Sequence, residues 1–264
     1  MEEYRKARRG YSDSDASDFS SNAIEVLERA GEEVSYLIDR NYPRDTTISF
    51  VGDRYQLTAR QRLLLARAVS GENARHLRKS KMHDLNEIAG RTILIDGFNT
   101  VVTLEVALSG SPVVIGQDGT ARDLAGLRGT YKIIDKTPKA IGLLLDSLES
   151  HDAAGAMFLF DQPVSNSGRL CQLVRELGSK RKLKVEAEAL YDVDSALSKS
   201  ENIVTSDSIV LDSCKSWFNL GAQLIEDLVA EGYDPIWVID IFEMLGTWNR
   251  IPKANSDSGN AHRC

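Results

Sequence analysis

Residues 91–99 read RTILIDGFN, and this stretch decides the fold. Thr92 to Ile95 is a short aliphatic and β-branched run, which is typical of a buried strand. The strand ends on Asp96, and a helix is expected to start near Asn99 and continue through Leu108. Gly97 allows a close backbone approach between the two elements. The stretch therefore predicts a strand, a ligand-binding turn and a helix, in the order found in open α/β sheets.

Three further segments repeat this pattern of a strand followed by polar residues. They are residues 156–161 (AMFLFD), 184–190 (KVEAEAL) and 203–207 (IVTSD). Helices are predicted between them, from Thr137-Pro138, from Ser167 to about Lys180, and over a long segment that carries Trp217, Leu220, Leu224 and Leu228. Strands that alternate with helices pair in parallel through right-handed crossovers. Residues 236–239 fit either a strand or an apolar helix.

The chain divides into four regions by composition and periodicity. We expect a Ser/Asp-rich flexible arm at 1–20, a small, mostly helical and partly basic domain at 21–88, an α/β domain at 91–250, and a flexible polar tail at 251–264. Within the helical domain, 46–51 is expected to be extended, and Thr58 is expected to cap a helix that begins at Ala59. An insertion at 109–136 contains a short strand near 111–116 and a tight turn at 116–119.

The composition limits the functional class. The net charge of -7 argues against indiscriminate nucleic-acid binding, although a local basic face remains compatible with it. No apolar run reaches the roughly 20 residues that span a bilayer, and the N-terminus lacks the pattern of a signal peptide, so we expect a cytoplasmic protein without membrane contact. The three cysteines form no zinc pattern. A chain of this size folds without a metal, so any metal is expected to be functional.

Acidic residues follow every one of the predicted strands. Asp96, Asp161 and Asp207 end three of them, and Asp192 and Asp194 come directly after the fourth. Because the carboxyl ends of parallel strands share one edge, up to five carboxylates are expected to meet there. Crowded carboxylates repel each other, and a hard cation such as Mg²⁺ or Mn²⁺ removes that penalty. The competing interpretation is that each aspartate only caps the following helix.

Such a cation site supports phosphodiester hydrolysis without a histidine or serine nucleophile, because bound metal ions activate water and stabilise the leaving oxygen. Asp212, one helical turn after Asp207, is a further candidate. Asn99 adds an oxygen donor beside Asp96.

Two basic stretches are candidates for contacts with a polyanion. Between Arg44 and Lys81, nine basic residues stand against three acidic ones, a local charge of +6, and Arg60 and Arg62 are predicted to grip a nucleic-acid backbone. A solvated helix face explains the same pattern. In the insertion, Arg122, Arg128 and Lys132 are predicted to contact phosphate, or else belong to an ordinary loop that carries Asp118 and Asp123.

The ordered segments 93–99, 158–161, 192–194 and 204–207 resemble the PIN-like nucleases, and the NYN branch in particular. The resemblance covers roughly residues 91–230 and implies a metal-dependent ribonuclease fold. It carries over Asp96, Asn99, Asp194 and Asp207, and less directly Asp192 and Asp161. The insertion at 109–136 departs from the NYN pattern.

A second departure lies after Asp207. Leu211 stands where that branch tends to have a further acid, and Asp212 comes one residue later. The whole chain also resembles an uncharacterised, mainly archaeal family with a helical N-terminal domain, on the strength of residues 50–58 (FVGDRYQLT).

The combined expectation is a metal-dependent ribonuclease that acts on RNA and uses Mg²⁺ or Mn²⁺. Asp96, Asp194 and Asp207 are the predicted catalytic residues, and Asp192 and Asp161 complete the predicted metal ligands. The alternatives are a non-catalytic RNA- or nucleotide-binding protein with the same fold, and an interaction scaffold that would expose an apolar patch on its N-terminal helices. The sequence leaves both a monomer and a homodimer open.

Overall fold

A six-stranded sheet lies at the centre of the protein, as seen in a computed structural model that describes residues 4, 6–126 and 129–244. Its strand order is β1-β8-β7-β2-β5-β6, and all of its recorded pairings are parallel. The strands are β1 (Met82–His83), β2 (Thr92–Asp96), β5 (Gly155–Asp161), β6 (Lys184–Leu190), β7 (Ile203–Val204) and β8 (Trp217–Phe218). The expected parallel-sheet α/β fold is confirmed, and a mostly helical region precedes it.

A smaller sheet is built largely from the insertion. Its strands are β3 (Pro112–Ile115), β4 (Ala121–Asp123) and β9 (Trp237–Ile239), in the order β4-β3-β9. The first two form an antiparallel hairpin, and β9 pairs in parallel with β3. The predicted strand and tight turn of the insertion are thus confirmed, and residues 236–239 contribute a strand to this second sheet.

Eleven α-helices surround the sheets in the described part of the chain. They are α1 (Asp15–Asp18), α2 (Ser21–Ile38), α3 (Arg44–Arg54), α4 (Ala59–Ala68), α5 (Glu72–Lys81), α6 (Gly97–Leu108), α7 (Thr137–Ser150), α8 (Ser167–Gly178), α9 (Val193–Leu197), α10 (Ser208–Ser213) and α11 (Leu220–Ala230). No helix within the described ranges is long and apolar enough to cross a membrane.

The central sheet is buried on both faces because successive side chains of a strand point in opposite directions. Ile93 and Ile95 of β2 belong to a large core that includes α6, α7, α8 and α11. Leu94, between them, packs on the other side against α9 and α10. The outermost strand β6 instead alternates charged and apolar residues, as expected for an edge that must resist further pairing.

The N-terminal helices and the small sheet share one hydrophobic core. Leu27 and Leu64 of the helices pack with Val114 of β3 and Ile239 of β9, and all four are buried. The helical region therefore packs against the small sheet that the insertion largely forms.

Two local predictions are wrong. Residues 46–51 were expected to be extended because of their β-branched residues, but they lie in α3. There, Thr47, Ile48 and Val51 are buried at helical spacing. Tertiary burial thus overrides a weak local preference. Trp217 lies in β8 rather than on the long helix, which begins only at Leu220.

The predicted flexible arm is packed against the protein where the structure describes it. Asp15 has no solvent exposure and pairs with Arg60 at 2.7 Å. Arg8 donates to the carbonyl of Gly110 at 2.6 Å. The polar composition suggested disorder, but these charged groups have partners in distant parts of the chain. The predicted tail at 251–264 lies outside the described residues, as do the last residues of the 91–250 region.

Candidate metal site at the carboxyl edge of the sheet

Polar side chains gather where the parallel strands end. In the strand register, Asp96 stands opposite Leu159, and Asp161 stands opposite Leu190, the last residue of β6. Val204, the last residue of β7, pairs with Ile95. The chain goes from β2 to β5 and β6 on one side and returns to β7 on the other, so the crevice between β2 and β7 is a topological switch point. Ligands of open α/β sheets bind at such points.

Asp96 lies at the base of this crevice with only 5% exposure. One carboxylate oxygen accepts a hydrogen bond from the Thr205 hydroxyl at 2.7 Å, and the other accepts from the Asn99 amide at 3.3 Å. Burial, with a smaller contribution from the charges of Asp207 and Asp194, raises the pKa of Asp96 to about 7, although the two hydrogen bonds act in the opposite direction. None of the described basic side chains forms an ion pair with this carboxyl group.

Gly97 is required by the same turn. A Cβ at this position would lie 2.2 Å from the Phe160 ring and 2.7 Å from the carbonyl oxygen of Leu159. Only glycine lets the start of α6 pass this close to β5, which confirms the expected close approach.

Asn99 fixes the loop after β7. Its side-chain oxygen accepts hydrogen bonds from the backbone amide of Ser206 at 2.8 Å and from the Ser206 hydroxyl at 2.9 Å. Because Asp207 follows directly, Asn99 holds the chain that carries this second carboxylate. Asn99 therefore has a positioning role that the sequence did not predict, and its predicted role as an oxygen ligand beside Asp96 stays a prediction.

Asp207 and Asp192 cap the helices that follow them. One Asp207 oxygen accepts from the amides of Ile209 and Val210 at 2.8 and 3.1 Å. One Asp192 oxygen accepts from the Ser195 amide at 2.9 Å. Asp96 caps α6 in the same way. All three aspartates therefore make capping hydrogen bonds, and whether they also hold a cation stays a prediction.

Asp194 is electrostatically coupled to each of the other four aspartates at this edge. Partial burial raises its pKa, and so do the charges of Asp207, Asp161 and Asp192. It also acts on Asp96. Burial and Asp192 raise the pKa of Asp161, although the Val193 amide donates a hydrogen bond to that carboxylate. We call these five residues the acidic rim; its members are Asp96, Asp161, Asp192, Asp194 and Asp207.

The acidic rim fits a hard cation by donor chemistry but not yet by spacing. Carboxylate oxygens are the ligands that Mg²⁺ and Mn²⁺ prefer. Among the described residues, however, no three His, Cys, Asp or Glu side chains are grouped closely enough to hold one ion. Three of the five carboxylates each use one oxygen for a helix-capping hydrogen bond, so a shared ion would have to be held by their other oxygens.

The predicted backbone-gripping arginines are engaged inside the protein. Arg60 pairs with buried Asp15 and donates to the carbonyl of Gly10 at 2.5 Å. Arg62 pairs with Asp53 at 2.9 Å and donates to the carbonyl of Ser49 at 2.9 Å. Their partners lie far away in the sequence or on another helix, so the charge pattern alone misassigned them to an open surface.

The three residues of the insertion that were predicted to contact phosphate differ in their surroundings. Arg122 is 4% exposed and forms two hydrogen bonds with fully buried Asp118, at 2.8 and 2.6 Å. Lys132 is exposed on the surface. Arg128 lies outside the described residues. Asp123 accepts a hydrogen bond from the Ala125 amide at 2.7 Å, which is the ordinary loop role.

Asp118 and Arg122 belong to a buried ion network that the sequence did not reveal. Arg78 of α5 also pairs with Asp118, and it holds Asp212 through two hydrogen bonds at 2.7 and 3.1 Å. Burial alone would raise the pKa of Asp118, but the adjacent guanidinium groups of Arg122 and Arg78 hold it well below its usual range. Asp212 therefore belongs to this network rather than to the acidic rim. Its position one residue after the expected acid was the only sequence signal.

The fold and the rim define an α/β protein with a parallel sheet and acidic residues at its carboxyl edge. The chain belongs to the family described as a domain of unknown function, DUF5616, whose model matches residues 85–223. A second model, described as a protein of unknown function, DUF434, matches residues 26–81.

An archaeal relative matches most of the chain. It is an uncharacterized protein of Methanocaldococcus jannaschii, 33% identical over 208 residues that cover 79% of this chain and 97% of that protein. No solved structure matches the chain significantly. The expected membership of an uncharacterised family with archaeal members is thus confirmed.

Proposed function

We propose that the protein is a metal-dependent ribonuclease with a PIN-like, NYN-type α/β domain, which hydrolyses RNA phosphodiester bonds at the acidic rim in the cytoplasm. The observation that carries the proposal is the position of the five aspartates of the acidic rim at the carboxyl ends of β2, β5, β6 and β7, around the topological switch point. The raised pKa values of Asp96 and Asp194 agree with it. Neighbouring carboxylates repel one another, and a bound cation would offset that repulsion.

The residues of the acidic rim fall into two groups in this proposal. Asp96, Asp194 and Asp207 would hold Mg²⁺ or Mn²⁺, and Asp192 and Asp161 would support the outer side. When bound, the cation supplies charge stabilisation and lowers the pKa of water. Thr205 keeps the Asp96 carboxylate oriented through its hydroxyl hydrogen bond. Asn99 keeps the Ser206 segment, and hence Asp207, beside it.

The test is cleavage of a mixed pool of single-stranded RNA, with Mn²⁺ or with EDTA. We compare the wild type with Asp207→Asn, which keeps the helix cap because asparagine caps as well as aspartate does. The matched control is Asp227→Asn on α11, an exposed residue bonded to Gln223 rather than to the rim. We expect Mn²⁺-dependent cleavage by the wild type and the control, and a loss of at least about 100-fold in Asp207→Asn. Equal cleavage by all three proteins would mean that the RNA is not cleaved at the acidic rim.

A second candidate is a non-catalytic RNA- or nucleotide-binding protein with the same fold. It is favoured by one observation, the lack of a preassembled three-ligand group among the described residues. This function predicts RNA binding that EDTA leaves unchanged and no cleavage with any divalent metal. The same assay, read for binding as well as for products, separates the two functions.

A further inference from the structure

Three arginine side chains converge on the carboxyl end of α4, the helix that itself carries Arg67. Arg122 donates to the carbonyl of Arg67 at 3.1 Å. Arg44 donates to the carbonyl of Ala66. Arg78 donates to the Ser70 hydroxyl at 3.1 Å. The negative end of the α4 dipole favours cations here, but it offsets only about half of one charge.

The positive charges of this arginine cluster (Arg44, Arg67, Arg78 and Arg122) are unevenly matched. Arg78 and Arg122 have carboxylate partners in Asp118 and Asp212. Arg44 and Arg67 form no ion pair with any residue that the structure describes. Asp45 acts on Arg44 only through its charge. The cluster therefore carries excess positive charge at α3 and α4.

Arg67 carries a further sign of a missing partner. Its Nε atom is buried from solvent and has no hydrogen-bond partner in the described part of the protein. An unmade hydrogen bond at a buried N–H of a charged side chain is costly, and a bound anion or an ordered water would satisfy it. Burial and the charges of Arg122, Arg78 and Arg67 also lower the pKa of Arg44, which again indicates an uncompensated cationic site.

The cluster adjoins the acidic rim. The guanidinium of Arg122 that contacts the Arg67 carbonyl also donates to the carbonyl of Ser206 at 2.9 Å and lies 3.4 Å from the Ser208 hydroxyl. These two residues flank Asp207. The backbone of Arg67 is thus separated from the rim segment by the span of one guanidinium group.

We propose that Arg44 and Arg67 form an anion subsite that binds a backbone phosphate of the RNA strand beside the acidic rim. Guanidinium groups bind phosphate through paired, charge-assisted hydrogen bonds. A phosphate here would satisfy the Arg67 Nε atom and balance the excess charge. The assignment to RNA rests on the proposed function, whereas the anion subsite itself does not.

The first experiment tests the subsite without metal or RNA. The Tm of the full chain is measured in EDTA with increasing inorganic phosphate, against chloride at equal ionic strength. We expect the Tm of the wild type to rise with the logarithm of phosphate concentration. Arg67→Gln should fold, since the Arg67 side chain forms no hydrogen bond or ion pair with the described residues, and it should show no phosphate-dependent rise.

The control is Arg29→Gln on α2, whose side chain is exposed and donates a hydrogen bond to the Glu25 carbonyl, away from the arginine cluster. It should keep the full response of the wild type to phosphate. A wild type that does not respond to phosphate, or an Arg67→Gln variant that responds equally, overturns the subsite.

The second experiment assigns the source of the phosphate. Binding of a fluorescent oligouridylate is measured in EDTA over a range of salt concentrations. Arg67→Gln should weaken binding by roughly 3- to 10-fold and reduce the salt slope by about one. Unchanged oligouridylate binding in a variant that has lost its phosphate response would overturn the RNA assignment and leave a free-phosphate site. Both readouts are independent of cleavage, so they stand even if the nuclease assay is negative.

Discussion

Asp96, Asp192 and Asp207 each combine two demands at the level of the single residue. One carboxylate oxygen accepts a hydrogen bond from a backbone amide at the start of the next helix, and this fixes where the side chain lies. The same position after a parallel strand brings the charge to the shared carboxyl edge. Capping and ion binding are therefore compatible roles, and substitution by asparagine separates them because it keeps the cap and removes the charge.

The raised pKa of Asp96 makes a prediction about stability. With a folded-state pKa of about 7 and an ordinary value in the unfolded chain, the folded protein holds the proton more tightly. This contribution to stability is fully present below the unfolded pKa and is lost as the pH rises towards 7. Above pH 7 the buried charge is a cost, so we expect Asp96→Asn to be more stable than the wild type by roughly 2–4 kcal/mol at pH 8 without metal.

The measurement is urea unfolding of both proteins between pH 4 and pH 8 in EDTA. The difference in unfolding free energy should shrink as the pH falls. A difference that does not vary with pH, or an Asp96→Asn variant that is less stable at pH 8, would mean that the carboxylate is compensated in the fold.

The rim could be predicted from sequence because each of its residues follows a recognisable strand, so local pattern and chain topology fix its place. The surroundings of Arg60 and Arg122 could not be predicted in this way. The partner of Arg60 lies 45 residues away, and the Ser206 contact of Arg122 lies 84 residues away. A local excess of positive charge identifies neither partner, so the sequence placed Arg60 on an open basic face and left Arg122 between a phosphate contact and an ordinary loop.

At the level of elements, the ion network around Asp118 ties α5 and α10 to the turn of the β3–β4 hairpin. We predict that Asp118→Ala costs about 3–5 kcal/mol of unfolding free energy, because it leaves the buried guanidinium groups of Arg78 and Arg122 without their carboxylate. Urea denaturation measures the loss.

Asp212→Ala is the matched control, since it removes the other partner of Arg78. The Asp212 side chain is 41% exposed, and Arg78 keeps Asp118, so the loss should stay below about 1 kcal/mol. Equal losses of unfolding free energy in Asp118→Ala and Asp212→Ala would show that burial of an ion pair does not determine how much it stabilises the protein.

The capping box of α4 gives a second prediction at this scale. The Thr58 hydroxyl accepts a hydrogen bond from the Gln61 amide at 3.2 Å and donates to Asp18 at 3.1 Å. Thr58→Ala should therefore lower the unfolding free energy by about 1–2 kcal/mol. Ser20→Ala at the start of α2, where the side chain makes no capping bond, should change it by less than half as much. Thermal unfolding of the two variants side by side decides this.

Elements were predicted best where periodicity is long. The helices α6, α7 and α8 and the strands β2, β5 and β6 follow their patterns closely. The two-residue strands β1 and β8 are too short for any period to appear, and α3 depends on burial against its neighbours rather than on helix propensity.

At the scale of the whole molecule, the small sheet connects the N-terminal helices to the central sheet beside the acidic rim. The insertion carries the small sheet, the small sheet packs against the N-terminal helices, and Arg122 in its strand β4 contacts the Ser206 segment of the central sheet. The helical region and the α/β region are thus joined beside Asp207, where the anion subsite is proposed.

The measurement that tests the account most directly is calorimetric titration of the metal-free protein with Mn²⁺, in parallel with Asp194→Asn. The Asp194 side chain lies at the surface edge of the rim and does not cap α9, so the variant should fold normally. We predict saturable binding of Mn²⁺ to the wild type and affinity at least about 10-fold weaker in the variant. No heat of binding in the wild type, or equal affinity in the two proteins, would contradict the assignment of the acidic rim as a metal site.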